Sequence, residues 1–226
     1  MGAVAAHVGG RGAPAAPSLP QATALGDLRF QRLLAADDWL ALPAPIRKRF
    51  SKRLTGGATV TYVGEVVEVE IGRAGRMLCQ AARLIGGPLP LVWDAPAPSV
   101  VTVTEDGASG GQIWTRLYAR PRGFPQVVHS AKRFAGPTGL EEYVGHGVGM
   151  ALKVSVEDAA LVFRSAHYFL SLAGLHLRLP QWAEPGRLTV THAELGEGRF
   201  AFTLQIFHPW LGRLLAQRAI FREEGL

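Results

Sequence analysis

GHGVGMALKVSVEDAALVFRSAHYFLSLAGLHLRLPQW, residues 145–182, is the stretch whose reading decides the fold. It places Val148, Met150, Leu152, Val154 and Val156 at every second position. That period belongs to a strand with one buried face, because successive side chains point to opposite sides of a sheet. The polar break Val156-Glu157-Asp158-Ala159 can turn the chain, and 161–170 returns with aromatic and β-branched residues that favour strands. Ala173-Gly174 permits another turn before Leu175, Leu177 and Leu179 alternate with His176 and Arg178. Pro180 stops the run, since it has no N–H to give to a ladder. The stretch predicts three consecutive antiparallel strands with one apolar face, which must curl around something.

The same alternation continues on both sides. Further strands are predicted over 58–71, 100–104, 112–120, 126–134, 188–194, 200–207 and 214–221. Turn chemistry separates nearly every pair, as in Glu105-Asp106-Gly107, Pro121-Arg122-Gly123 and Gly196-Glu197-Gly198. Before them, Phe30, Leu33, Leu34, Trp39, Leu40 and Leu42 recur at helical spacing, with Asp27 available as a cap. Pro43 and Pro45 break that helix, 46–54 offers another short helical turn, and 73–85 reads as a further amphipathic helix. The expected class is α+β, mostly β: a curved antiparallel sheet of about ten strands, as meander, half-barrel or barrel, wrapped around the N-terminal helices.

Composition sets the limits. A chain of 226 residues with 48% hydrophobic side chains can bury a sizeable core. Residues 1 to about 21 are Ala, Gly and Pro with few large apolar side chains, too little to offset the ordering entropy. A disordered leader over 1–24 and a single β-rich domain over 25–226 are therefore expected. The prolines interrupt any signal-peptide core and no apolar run approaches the roughly 18 residues of a membrane span, so a cytoplasmic location is expected. The single Cys79 excludes an intramolecular disulfide and a multi-thiolate metal site, and reads as a small buried apolar residue. The net charge of +6 comes largely from scattered Arg, with one dense run from Arg47 to Arg53 that reads as a solvated helix end. Basic stripes interleaved with exposed aromatics are lacking, so no nucleic-acid partner is expected.

Several short motifs carry a resemblance. Phe-Gln-Arg-Leu-Leu over 30–34 with Trp39, Leu42-Pro43 and Ile46-Arg47, then IWTRLY over 113–118 and HSAKRF over 129–134, form its first half. GLEEYVGHGVGMAL, the Leu179-Pro180 step and RFAFTLQIFHPWLG with Phe221 form its second. Together they resemble the domain of unknown function numbered 4166, over residues 28 to about 222. That family is often fused to saccharopine-dehydrogenase-like reductases, which implies such a reductase as a partner and a neighbourhood of redox or lipid metabolism. The resemblance supplies no catalytic residue. This chain has no Gly-x-Gly-x-x-Gly opening a strand–helix unit, so it is not expected to bind a nicotinamide itself, and no cofactor is expected.

Alternation also sorts faces. Trp114, Arg116 and Tyr118 share one face of their strand, and aromatic side chains with polar tips are costly to leave in water, which favours the lining of a cleft. Arg116 can hold a carboxylate with its planar fork, or stack on its aromatic neighbours for stability. On strict alternation Arg164 and Tyr168 share a face with the small Ala160 and Ala166, and Lys153 stands among Gly147, Gly149 and Ala151. These six residues are the candidate ligand-binding set. An acidic partner for the Arg residues would be a ligand carboxylate, or Glu141, Glu142 or Glu194. His192 and Glu194 share a face and are the best acid–base pair available, with a hydrogen-bonded structural histidine as the alternative. His129 and the adjacent Ser130 point to opposite faces, and no His spacing suits zinc, so no metal is expected. Two functions fit. One is a module that binds a small apolar or amphipathic molecule with an acidic group in a β-sheet cleft. The other is a cofactor-independent isomerase or cyclase using His192 and Glu194, with a purely structural domain partnering a reductase as the plain alternative.

Overall fold

A computed structural model describes residues 26–173 and 175–223, so the leader expected over 1–24 lies outside the described residues. Eleven strands form one antiparallel sheet that closes on itself. They are β1 (Val60–Ile71), β2 (Ala97–Asp106), β3 (Gly111–Tyr118), β4 (Gln126–Arg133), β5 (Glu141–Gly145), β6 (Val148–Glu157), β7 (Ala160–Leu172), β8 (Leu175–Arg178), β9 (Arg187–Gly196), β10 (Arg199–His208) and β11 (Gly212–Glu223). Each of β1 to β6 pairs with the next, β6 pairs with β7, β7 with β9, and β9 to β11 return to β1. Ten strands thus make a barrel without a free edge, which removes the row of unpaired backbone groups an open sheet would expose.

The eleventh strand, β8, stands outside the ring. β7 is long enough to fork: Leu161 to Arg164 pair with β9, while Phe169 to Leu172 pair with β8. The three-strand meander of residues 145–182 is present, but its third member flanks the barrel and β9 takes its place in the wall.

Two ends of the barrel are closed differently. At one lie helices α1 (Ala36–Ala41) and α2 (Ala44–Phe50); α2 delivers Phe50 and the segment before α1 delivers Phe30, and the two rings meet edge-on at 5.1 Å. Both also approach Phe163 of β7, at 6.2 and 5.8 Å. Arg49 of the basic run is not a solvated end. Its side chain is 7% exposed, holds Glu194 at 2.9 Å and lies 4.0 Å over the Phe200 ring. At the other end lies α3 (Arg73–Ala81) and the 3-10 turn after it, Ala82–Ile85. Gly75 permits this docking, because a Cβ there would overlap the Leu214 carbonyl of β11.

Local departures have local reasons. The helix expected from Leu28 to Leu42 is split into a 3-10 turn at Gln31–Leu33 and α1, and Asp27 accepts from the backbone and side chain of Arg29 instead of capping a helix. A fold-deciding irregularity lies in β7. Leu152 of β6 stands opposite Ser165 and Ala151 opposite His167, so Ala166 is an extra residue. Such a bulge reverses the alternation beyond it. Leu161 and Phe163 therefore face the core before the bulge, and Tyr168 after it.

Candidate functional site

Between the aromatic plug at one end and the α3 segment at the other, the barrel encloses a cavity of about 350 Å³. That lies within the range of small-molecule sites. Its walls are mainly apolar, with Val101, Val128, Met150, Leu188, Phe202 and Ala219 reaching in from six different strands. Leu78, Ala81, Ile85 and the segment from Pro88 to Pro90 lie across its mouth.

The polar lining is concentrated on β3, β4 and β5. Antiparallel pairing sets Trp114 opposite Ser130 and Arg116 opposite Val128, so these side chains share one inner surface. Arg116 Nη1 donates to Ser130 Oγ at 3.1 Å, and its Nη2 stands 4.0 Å from Glu142 Oε1. Glu142 is held more closely by Lys132 Nζ, at 2.9 Å. Lys132 also faces the Trp114 ring at 5.4 Å and the Phe163 ring at 5.6 Å. Two cationic side chains thus share one carboxylate in a low-dielectric interior.

Environment tunes each group. Burial alone would raise the Glu142 pKa, but Lys132, Arg116 and hydrogen bonds from Ser130 and Lys132 outweigh it and hold the carboxyl below its ordinary value. Burial lowers the Lys132 pKa in spite of Glu142, and Arg116 pushes it the same way. Tyr118 donates to Gln217 Oε1 at 3.4 Å, and Tyr168 donates to the Gly186 carbonyl at 3.0 Å. Burial raises the pKa of both phenols, so they remain donors at neutral pH. The Nε2 of Gln217, also in the lining, has no acceptor among the described residues.

Of the residues singled out in the sequence, Trp114, Arg116, Tyr118 and Tyr168 come together on the cavity wall. Arg164 and Lys153 do not. The bulge at Ala166 turns Arg164 away from Tyr168, and Arg164 forms an ion pair with Glu157 while Ser155 accepts from its Nη1 at 3.2 Å. Lys153 is exposed on the outer face. Arg164→Ala is expected to leave the melting temperature within a degree or so of the parent, because exposed pairs contribute little. Thermal unfolding checks this directly.

His192 and Glu194 are not joined by a hydrogen bond. The His192 ring stacks on Phe200 at 4.8 Å and meets Phe202 edge-on at 4.6 Å, and neither nitrogen has a hydrogen-bond partner among the described residues. Burial, aided by the Arg49 charge, lowers its pKa to about 3. Glu194 is occupied by Arg49, and neither residue borders the cavity. The arrangement is that of an apolar ring in a core, not of a proton carrier at a reaction site. Cys79 is buried and its thiol is pushed up to about 11, as suits a packing residue.

The Lys132–Glu142 pair has only a weak signal in the sequence: Lys132-Arg133 and Glu141-Glu142 are adjacent like charges on strands, so one of each couple points to the inner face. The mouth segment carried no such signal.

A model of the family described as "Domain of unknown function (DUF4166)" matches residues 42–221. The chain belongs to this family. The match runs from Leu42, two residues before α2, to Phe221 near the end of β11, so it takes in all ten strands of the ring but for the last two residues, and every polar residue of the cavity wall. Searches of the curated proteins and of the solved structures found no match.

Proposed function

We propose that the barrel is a binding module for a small amphipathic molecule, an apolar body carrying one acidic group. The observation that supports this is the charge arrangement at the polar wall, where Arg116 and Glu142 line the cavity and Lys132 stands behind Glu142. Arg116 and Lys132 face a single carboxylate, Glu142, and the nearer partner of that carboxylate is Lys132. Arg116, a quarter exposed at 25%, keeps part of its donor fork directed at the cavity. A ligand carboxylate there would gain charge-assisted hydrogen bonds in a site poor in water, where such bonds are strong. The remaining wall, with Trp114, Tyr118 and Tyr168, would cover an aliphatic or ring-shaped body by burial of apolar area.

Dodecanoate and dodecanol, equal in chain length and different in charge, separate the two contributions. The expected result by titration calorimetry is that the parent protein prefers dodecanoate, and that Arg116→Met abolishes the preference while retaining the alcohol. A loss on the order of tenfold or more is expected for the acid, as for a hydrogen bond to a charged group. Because Lys132 already holds Glu142 at 2.9 Å, removing Arg116 strands no carboxylate and stability should change little. Equal affinity for acid and alcohol in the parent would overturn the reading.

A further inference from the structure

The exposed large apolar side chains are distributed very unevenly. Among the described residues, all except Leu28, Leu40 and Leu195 lie at or beside the end of the barrel where α3 crosses the cavity mouth. They interleave in sequence with the residues that line the cavity. Met77 is 74% exposed beside the lining residue Leu78, and Phe207 is 55% exposed beside the lining residue Ile206. Trp182, 75% exposed, stands between the lining residues Leu179 and Pro185. Leu84, Phe124 and Trp210 are 85%, 92% and 79% exposed and extend the same rim.

Among these side chains stand exposed arginines: Arg73, Arg76 and Arg83 on the α3 segment, Arg122 beside Phe124, and Arg178 and Arg187 on either side of Trp182. Among the described residues, the acidic ones of this rim are Glu70, which is paired with Arg213 at 2.6 Å, Asp94, and Glu184, whose Oε1 accepts the Tyr168 N–H at 3.3 Å. At the opposite rim the exposed groups include Asp37, Asp38, Asp158 and Glu197. One end is therefore apolar and positive while the other is mixed.

We propose that this rim docks on an anionic lipid bilayer, so that the cavity mouth faces the membrane surface. Indole rings with one wet and one dry side settle at the headgroup level, and aliphatic side chains beside them enter the acyl boundary. Each arginine near an anionic leaflet adds electrostatic attraction that salt screens. A second protein could cover an apolar rim, but the ring of arginines around it matches a sheet of negative headgroups. These surface side chains would engage a bilayer whatever fills the cavity.

Flotation of the full chain with vesicles tests it. Vesicles of phosphatidylcholine alone are compared with an equimolar mixture of phosphatidylcholine and phosphatidylglycerol. The parent should float with the anionic vesicles, less so at high salt, and weakly or not at all with the neutral ones. The triple variant Trp182→Ser, Phe207→Ser, Trp210→Ser should bind the anionic vesicles about tenfold or more weakly. It changes exposed positions only, and its unchanged melting temperature and dodecanoate affinity would show an intact barrel. Arg116→Met should float like the parent, which keeps this result separate from the ligand reading. Absence of the parent from anionic vesicles overturns the proposal, as does equal flotation of parent and triple variant. A dimer by light scattering that the triple variant abolishes, without flotation, assigns the rim to a second copy and overturns it as well.

Discussion

Glu142→Gln is expected to destabilise the barrel by roughly 3–5 kcal/mol, the cost of leaving a buried charge without its partner. The substitution keeps the shape and removes the one negative charge within reach of Lys132 and Arg116. Lys132 can escape by releasing its proton, and that sets an upper bound. Moving a lysine from its ordinary pKa of about 10.4 to neutrality at pH 7 costs about 1.4 kcal/mol per unit, or close to 5 kcal/mol. A variant lysine that is neutral when folded and charged when unfolded makes stability rise with pH, so the deficit should shrink towards pH 9. The double variant Lys132→Met with Glu142→Gln should recover most of the loss, since an apolar replacement of both partners is often neutral. Urea unfolding of parent, single and double variants reads all three. A single-variant loss below about 1 kcal/mol would mean that the pair is more solvated than its geometry indicates.

The second large effect concerns acid. His192 is held neutral by burial, with a pKa lowered to about 3, whereas an unfolded histidine titrates near 6.5. Between those values the unfolded chain binds one more proton than the folded one, so stability rises with pH there and is lost as pH falls. The slope from this one residue is about 1.4 kcal/mol per pH unit between those values, and the stability it reflects is fully present above pH 6.5 and reduced by about 2.7 kcal/mol at pH 4.5. His192→Phe puts a similar ring among Phe50, Phe200 and Phe202 and removes the titration. Parent and variant are expected to converge above pH 6.5 and to separate steadily below it, with the variant the more stable. Denaturant midpoints at pH 7 and pH 5 check it. Carboxylates whose pKa values are lowered in the fold, such as Asp27, Asp106 and Glu142, add their own loss only at lower pH, which is why the window above pH 5 is diagnostic. Parallel curves for the two proteins would show that His192 is protonated without cost.

Much of the architecture was legible because strand periodicity depends on neighbours two residues apart. All the predicted strands exist, with ends shifted by a few residues, as with 100–104 growing into Ala97–Asp106. β5 escaped detection because five residues beginning Glu-Glu offer too short an alternation to count. Closure itself was beyond reach of a local rule: the pairing of β7 with β9 skips β8 and depends on partners distant in sequence. The site divided along the same line. Trp114, Arg116 and Tyr118 obey strict alternation, and all three line the cavity. Arg164 was grouped with Tyr168 by the same rule, and one inserted residue, Ala166, set them on opposite faces. His192 and Glu194 do lie two apart on a strand, yet Arg49 from α2 competes for the carboxylate. A helix brought in from another part of the chain cannot be read from the spacing of two residues.

The seam between β1 and β11 governs how the molecule must be made. Glu68 and Arg218 face each other across it although 150 positions separate them. A chain emerging from the ribosome at roughly 5–20 residues per second leaves one edge of β1 waiting on the order of ten seconds or more for its partner. During that time the sheet is an open ribbon, its future interior, including Tyr62, Val66 and the Lys132–Glu142 pair, turned to water. Synthesis of β11 is therefore the event that creates the hydrophobic chamber, and a nascent chain stalled before Gly212 carries most of the lining residues on the ribbon but no chamber. Long-range closure of this kind is slow and exposes a sticky edge meanwhile. Chaperones that shield strand edges should bind this protein mainly as a late nascent chain, and release it when the last strand arrives.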